Sequence, residues 1–140
     1  MVEKIVPDTS VILKWYLQHE RLAEQAMSLR DAYFNGQSHM IAPDFMVVEF
    51  ANILGHQLEM TNEEVKATVQ GLLDMGFEWI KPEKSLMDSA IGIARNFNLT
   101  VYDALFVSLA KSHQARFITA DEKTARNLQN MDFVFFLGNL

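Results

Sequence analysis

Lys4-Ile5-Val6-Pro7-Asp8-Thr9-Ser10-Val11 is the stretch whose reading decides the fold. Its first four residues read as a short strand, and Asp8, Thr9 and Ser10 are residue types that start helices. The residues from Val11 to Leu17 then form a brief helix. A strand followed by a helix suits a parallel sheet, whose strands are joined by crossovers that are usually helical. The same arrangement returns late in the chain. There Arg116-Phe117-Ile118-Thr119 reads as a strand, Ala120-Asp121 follows, and a helix runs from Glu122 to Leu128.

Between these two units the pattern alternates. A helix is expected from Glu20 to Phe34, with Leu22, Ala26, Leu29 and Tyr33 on one face and Asn35-Gly36 as its closing turn. His39 to Ala42 reads as a strand, and Pro43 opens a helix from Asp44 to Leu58 striped by Met46, Phe50, Ile53 and Leu54. Thr61 and Glu64 have the spacing of a capping box for a helix carrying Val65, Val69, Leu72 and Leu73, which stops at Gly76. Phe77 to Ile80 reads as a strand, and Pro82 precedes a helix with Leu86, Ala90, Ile93, Ala94 and Phe97. Asn98-Leu99-Thr100 breaks that helix, and another runs from Tyr102 to Ser112. Phe133 to Phe136 is the last strand. Strands spaced by helices, with no hairpin signal, predict an α/β protein with a mainly parallel sheet flanked by helices. No repeat or linker interrupts the pattern, so residues 1–140 read as a single domain.

The chain has 140 residues, 49% hydrophobic and 21% charged, enough for a buried core in a soluble globular protein. There are no cysteines, which rules out disulfides and thiolate metal sites and suits a reducing cytoplasm. No apolar run is long enough to span a bilayer, and the N-terminus lacks a basic segment followed by a long apolar one. The expectation is a cytoplasmic protein with no membrane partner. The formal net charge of −6 argues against a protein that coats nucleic acid, since such proteins neutralise phosphates with basic side chains. It is compatible with an enzyme that brings metal ions to the phosphate.

Ligands of open parallel sheets bind beyond the carboxyl ends of the strands. Asp8 and Asp121 each follow a strand, and Asp103 starts the helix after Leu99-Thr100-Val101. Glu49 sits mid-helix with Phe45, Met46 and Ile53 at one-turn spacing, so it borders an apolar stripe. Each acid also has a structural reading. Asp8 and Asp121 fit helix N-caps, Asp103 fits the third residue of a capping box begun by Thr100, and Glu49 fits a rim residue whose stem covers the core. Four carboxylates brought into one pocket, however, repel one another unless they are protonated or bind a cation. All-oxygen ligands select hard ions such as Mg²⁺ or Mn²⁺, which serve phosphodiester cleavage.

At these residues the sequence resembles the PIN-domain ribonucleases, in particular the VapC-type toxins of prokaryotic toxin–antitoxin pairs. The resemblance spans nearly the whole chain. It rests on Val6-Pro7-Asp8-Thr9-Ser10, Ala42-Pro43-Asp44 leading to Glu49-Phe50-Ala51-Asn52, Thr100-Val101-Tyr102-Asp103-Ala104-Leu105, and Phe117-Ile118-Thr119-Ala120-Asp121-Glu122. It implies a three-layer α/β/α sandwich and a nuclease site of Asp8, Glu49, Asp103 and Asp121 holding Mg²⁺ or Mn²⁺. Thr9 or Ser10, and Thr119, would be supporting hydroxyls. It also implies an RNA substrate, a homodimer and a small inhibitory antitoxin.

Other residues add less. Lys14, Lys123 and Arg126 lie near the motifs and could meet phosphates or simply be solvated. His19, His39, His56 and His113 lack metal-ligand spacing, although His56 lies two turns from Glu49 and could line the groove. Trp15, Tyr16 and Phe34 read as core or dimer contacts rather than base-stacking residues. Alternatives to a toxin are a PIN nuclease of RNA maturation and a catalytically silent PIN-like binding module. A phospho-acceptor signalling domain would need a lysine at a late strand end, and neither late strand supplies one.

Overall fold

The computed structural model describes residues 2–140. Its strands are β1 (Glu3–Pro7), β2 (Ser38–Pro43), β3 (Glu78–Ile80), β4 (Arg116–Thr119) and β5 (Val134–Phe136). The helices are α1 (Thr9–Leu13), α2 (Ala23–Phe34), α3 (Phe45–His56), α4 (Asn62–Asp74), α5 (Lys84–Phe97), α6 (Val101–His113) and α7 (Glu122–Asn127). The five strands form one sheet in the order β3-β2-β1-β4-β5, and every neighbouring pair is parallel. With helices packed on it, the sheet is the middle layer of a three-layer α/β/α sandwich.

Burial explains why the strands are apolar rather than alternating. Ile5, Val6 and Pro7 are buried in succession in β1, as are Met40 to Pro43 in β2 and Phe117 to Thr119 in β4. Successive strand residues point to opposite faces, so both faces of the sheet are covered. The core's largest fully buried side chains include Phe50, Phe106 and Phe117. Helix α6 is buried continuously from Ala104 to Ala110, because it lies against β1, β2 and β4 and is covered by α5. Among the described residues no helix is long and apolar enough to cross a membrane.

The strand order carries the consequence for function. The chain steps outward from β1 through β2 to β3, then returns to the other side of β1 with β4 and continues to β5. The order therefore reverses between β1 and β4, and at such a switch point the loops leaving two adjacent strands part and open a crevice. Asp8 leaves β1 and Asp121 leaves β4, on either side of that crevice. Pro7 is in register with Ile118, and the Asp8 N–H donates to the Ile118 carbonyl at 3.0 Å.

Several local expectations hold. Thr61 and Glu64 form the capping box, with the Thr61 N–H donating to Glu64 Oε1 at 2.9 Å and the Glu64 N–H to Thr61 Oγ1 at 3.2 Å. Helix α5 closes on Asn98, which takes the left-handed conformation at φ 55° that a C-terminal residue of this type tolerates. Other boundaries shift. Helix α1 ends at Leu13 rather than Leu17, and α2 begins at Ala23 rather than Glu20. Pro43 closes β2 instead of opening α3, a strand-end position where its missing N–H costs nothing in the ladder. Asp103 does not stand behind a strand: Leu99 and Thr100 only link α5 to α6, and Val101 already belongs to α6.

Candidate active site

Asp8, Glu49, Asp103 and Asp121 line one cleft of about 190 Å³, together with Thr9, Ser10, Leu13, Ile53, Phe106 and Thr124. Two acids come from the sheet's switch point and two from helices that flank it. Glu49 is brought in by α3, whose buried Met46, Phe50 and Leu54 turn its neighbouring face to the core. Asp103 is placed by α6. Thr100 caps that helix, its hydroxyl accepting from the Asp103 N–H at 3.1 Å, so the acid sits in the first turn.

The capping readings separate here. Asp121 does cap α7: Oδ1 accepts from the Lys123 N–H and Oδ2 from the Thr124 hydroxyl, each at 3.0 Å. Asp8 occupies the N-cap position of α1, but its carboxylate makes no capping bond. It accepts instead from the Ser10 hydroxyl, and Ser10 Oγ in turn accepts from the Ala120 N–H at 3.0 Å. Thr9, the other candidate hydroxyl, donates to Glu49 Oε1 across 40 residues of sequence. Thr119 Oγ1 accepts from the Asp121 N–H at 3.1 Å. The hydroxyls thus aim three different acids. Thr124 was not anticipated, although its position three residues after an aspartate at a helix start is a readable signal.

Burial holds three of the four carboxylates, Asp8, Glu49 and Asp103, above their ordinary values. Burial pushes Asp8 up from 3.8 to about 7, against the lowering effect of the Ser10 and Thr119 hydroxyls, and the nearby Asp103 charge raises it further. Glu49 is raised first by burial and then by Asp103, while Thr9 opposes the shift. Asp103 itself is raised by burial and by Asp121, with Thr100 opposing. The Asp103 charge thus acts on both Asp8 and Glu49. No lysine or arginine lines the cleft among the described residues.

That donor set fits a hard divalent cation, which would relieve the repulsion that no basic side chain offsets. The acids surround the cleft without being drawn together. Among the described residues, no three His, Asp or Glu side chains already converge on one ion position. Asp8 and Glu49 are each engaged by a neighbouring hydroxyl, Ser10 and Thr9.

The remaining candidates lie elsewhere. His56 is exposed and does not line the cleft. Lys14 pairs with Glu20 at 3.3 Å, whereas Lys123 and Arg126 are exposed on α7. Trp15 is a core residue whose indole donates to the Ala26 carbonyl at 2.7 Å, and Tyr16 packs on Phe50 with ring centroids 5.6 Å apart. Phe34 is exposed and lies against Tyr33.

The family model described as "PIN domain" matches residues 5–129, a span that contains all four acids. The chain belongs to the PIN-domain family. No curated protein matches it significantly. The PIN fold is also found in solved structures of low sequence identity. A toxin–antitoxin complex from Klebsiella pneumoniae aligns with a TM-score of 0.69 at 14% identity, covering 95% of this chain and 97% of that one. DNA-bound VapBC from Salmonella typhimurium gives 0.69 at 14%, covering 98% and 99%. The Sarcin-Ricin loop cleaving toxin VapC20 of Mycobacterium tuberculosis gives 0.67 at 10%, covering 87% and 93%. Identities of this size speak for the PIN fold alone.

Proposed function

We propose that this PIN domain is an Mg²⁺- or Mn²⁺-dependent endoribonuclease acting as the toxin of a toxin–antitoxin pair. The observation that carries the reading is the cleft itself: four acids from four separate elements, with no lining lysine or arginine among the described residues, at the switch point of a parallel sheet. Asp8 makes no capping bond and Glu49 no ion pair; each accepts instead from a hydroxyl that lines the cleft. The toxin assignment draws on the solved toxins and toxin–antitoxin complexes that share the fold.

In this reading Asp8, Glu49, Asp103 and Asp121 hold the cation. A bound Mg²⁺ or Mn²⁺ supplies positive charge against the scissile phosphate and makes water a better nucleophile. The protein's own contribution is orientation. Ser10 fixes Asp8 against the β4 turn, Thr9 fixes Glu49 against α1, and Thr119 and Thr124 fix the turn that presents Asp121. Leu13, Ile53 and Phe106 form apolar walls that keep bulk water from screening the charges. The partners that follow are RNA as substrate, a second copy of the chain in a homodimer, and a small antitoxin protein.

The direct test is cleavage of structured RNAs with Mg²⁺, with Mn²⁺ and with chelator, wild type beside Asp8→Asn. Cleavage by the wild type only with metal, and none by the variant, is the expected result. Cleavage that persists in chelator would overturn it.

Two further outcomes follow from the same geometry. Either ion should raise the melting temperature and a chelator should lower it, since a ligand at a hundred times its Kd adds about 2.7 kcal/mol to stability. An unchanged melting curve at millimolar metal would argue that the acids do not share an ion. Thr9→Val keeps the buried shape of the side chain but releases Glu49. Loss of such an outer partner typically lowers metal affinity or activity roughly 10–100-fold, and metal titration of the variant's activity should read that loss. An unaltered metal requirement would assign the Thr9 hydroxyl to packing only.

A further inference from the structure

Next to the acidic cleft, and sharing Glu49 with it, is a second recess of about 450 Å³ lined by Phe45, Val48, Asn52 and Tyr102. Its character is the opposite of the cleft's. Tyr102 is 64% exposed and Val48 is 72% exposed, an unusual placement for an aromatic and a β-branched apolar side chain with no cover. The Tyr102 ring is nevertheless braced. It lies 5.8 Å from Phe45, and Phe45 lies 5.4 Å from Phe106, which is buried in the core. Three rings thus lead from the interior to a surface-exposed face.

The placement in sequence is equally telling. Tyr102 directly precedes Asp103, and Val48 directly precedes Glu49. The recess and the acidic cleft share Glu49, so a nucleoside adjoining a phosphodiester held at the acids is within reach of it.

Resting on the nuclease reading above, we propose that the recess receives the unpaired nucleobase next to the scissile phosphate, stacked on the Tyr102 ring. A base is flat, uncharged and apolar on its faces, so it tolerates a position against the acids that a phosphate does not. Asn52, exposed at the rim, offers an amide donor and acceptor to the base edge. Base-on-aromatic stacking needs a base that has left its helix, so the substrate is single-stranded or looped RNA rather than duplex.

The test uses short RNAs carrying the fluorescent base 2-aminopurine at each position in turn. Binding is read in Mg²⁺ with the Asp8→Asn protein so that the RNA stays intact. One position should quench strongly on binding. Quenching should survive Tyr102→Phe and disappear with Tyr102→Ala in the same background. In the otherwise wild-type enzyme, Tyr102→Ala should raise KM about tenfold, within the range of base–aromatic stacking, with a smaller change in kcat.

Undiminished quenching in Tyr102→Ala, or no RNA binding at any position, overturns the proposal. So does a dimer that Tyr102→Ala dissociates while RNA binding is retained, since the occupant is then a second copy. Position-specific quenching combined with a wild-type protein that cleaves no RNA in Mg²⁺ or Mn²⁺ leaves the base site standing and removes the nuclease reading instead.

Discussion

Asp8→Asn should abolish RNA cleavage and, in the absence of metal, leave the protein more stable than wild type at pH 8. The two effects share one cause. The folded protein holds the Asp8 proton up to about 7, whereas the carboxyl's ordinary value is 3.8. A group that binds its proton more tightly when folded contributes stability that is full below its unfolded value and is lost as pH rises through the folded one. In chelator, wild-type stability should therefore decline between about pH 4 and pH 7, with Asp8 accounting for a few kcal/mol of that decline. The amide carries no charge at any of these pH values, so the variant's curve should be flatter and its advantage greatest above pH 7. Catalytically, an amide is a much poorer partner for a hard cation than a carboxylate. Cleavage should fall by at least about a hundredfold, more than loss of an outer partner costs. Denaturant titrations at pH 5 and pH 8, with and without metal, together with a cleavage assay, read both halves. A variant less stable than wild type at pH 8 would return Asp8 to a purely structural role.

Glu49→Gln should have a comparably large effect on activity and almost none on folding. The side chain is half-buried, its stem covers the α3 stripe, and its one hydrogen-bond partner is the Thr9 hydroxyl, which an amide oxygen can also accept from. Volume and packing are unchanged, so a melting temperature near that of the wild type is expected in chelator. What is lost is the only acid supplied by α3, across the cleft from Asp8. RNA cleavage should drop by roughly a hundredfold or more, and residual activity should need much higher Mn²⁺. A wild-type rate with an unchanged metal requirement would remove Glu49 from the site.

The alternation of strand and helix was legible because its signals are local: apolar runs, helix-start residues and the Thr61–Glu64 capping pair. The same locality explains the misplacements. Pro43 carries the mark of a helix start, but β2 needed one more residue to pair with Ile80 of β3, a contact remote in sequence. Leu17 and Glu20 lie in an apolar-polar stretch that could extend either helix, and only packing decided that it does neither. Strand order was not legible at all, since nothing in β4 by itself says that its partner is β1. Yet that order is what sets Asp8 beside Asp121. Asp103 reached the cleft by a different route from the one its sequence suggested, through the first turn of a helix buried under α5. The individual acids were readable from their motifs. Their division into a true cap at Asp121 and an uncapping, buried carboxylate at Asp8 was not, because it depends on where Ser10 and Thr124 point their hydroxyls.

Pairing of β1 with β4 also sets a timetable for the nascent chain. The Ser10 hydroxyl meets the Ala120 amide across 110 residues. On the ribosome β1 can find β2 early, but its other edge stays open until Arg116–Thr119 has emerged, and an open strand edge invites pairing with other chains. Closure of so distant a contact is slow compared with local helix formation. A truncated or stalled chain that ends before Asp121 has three of the four acids and no crevice to hold them. Whatever this protein does with its acids, it does only once the chain through Asp121 has been made and β4 has closed against β1.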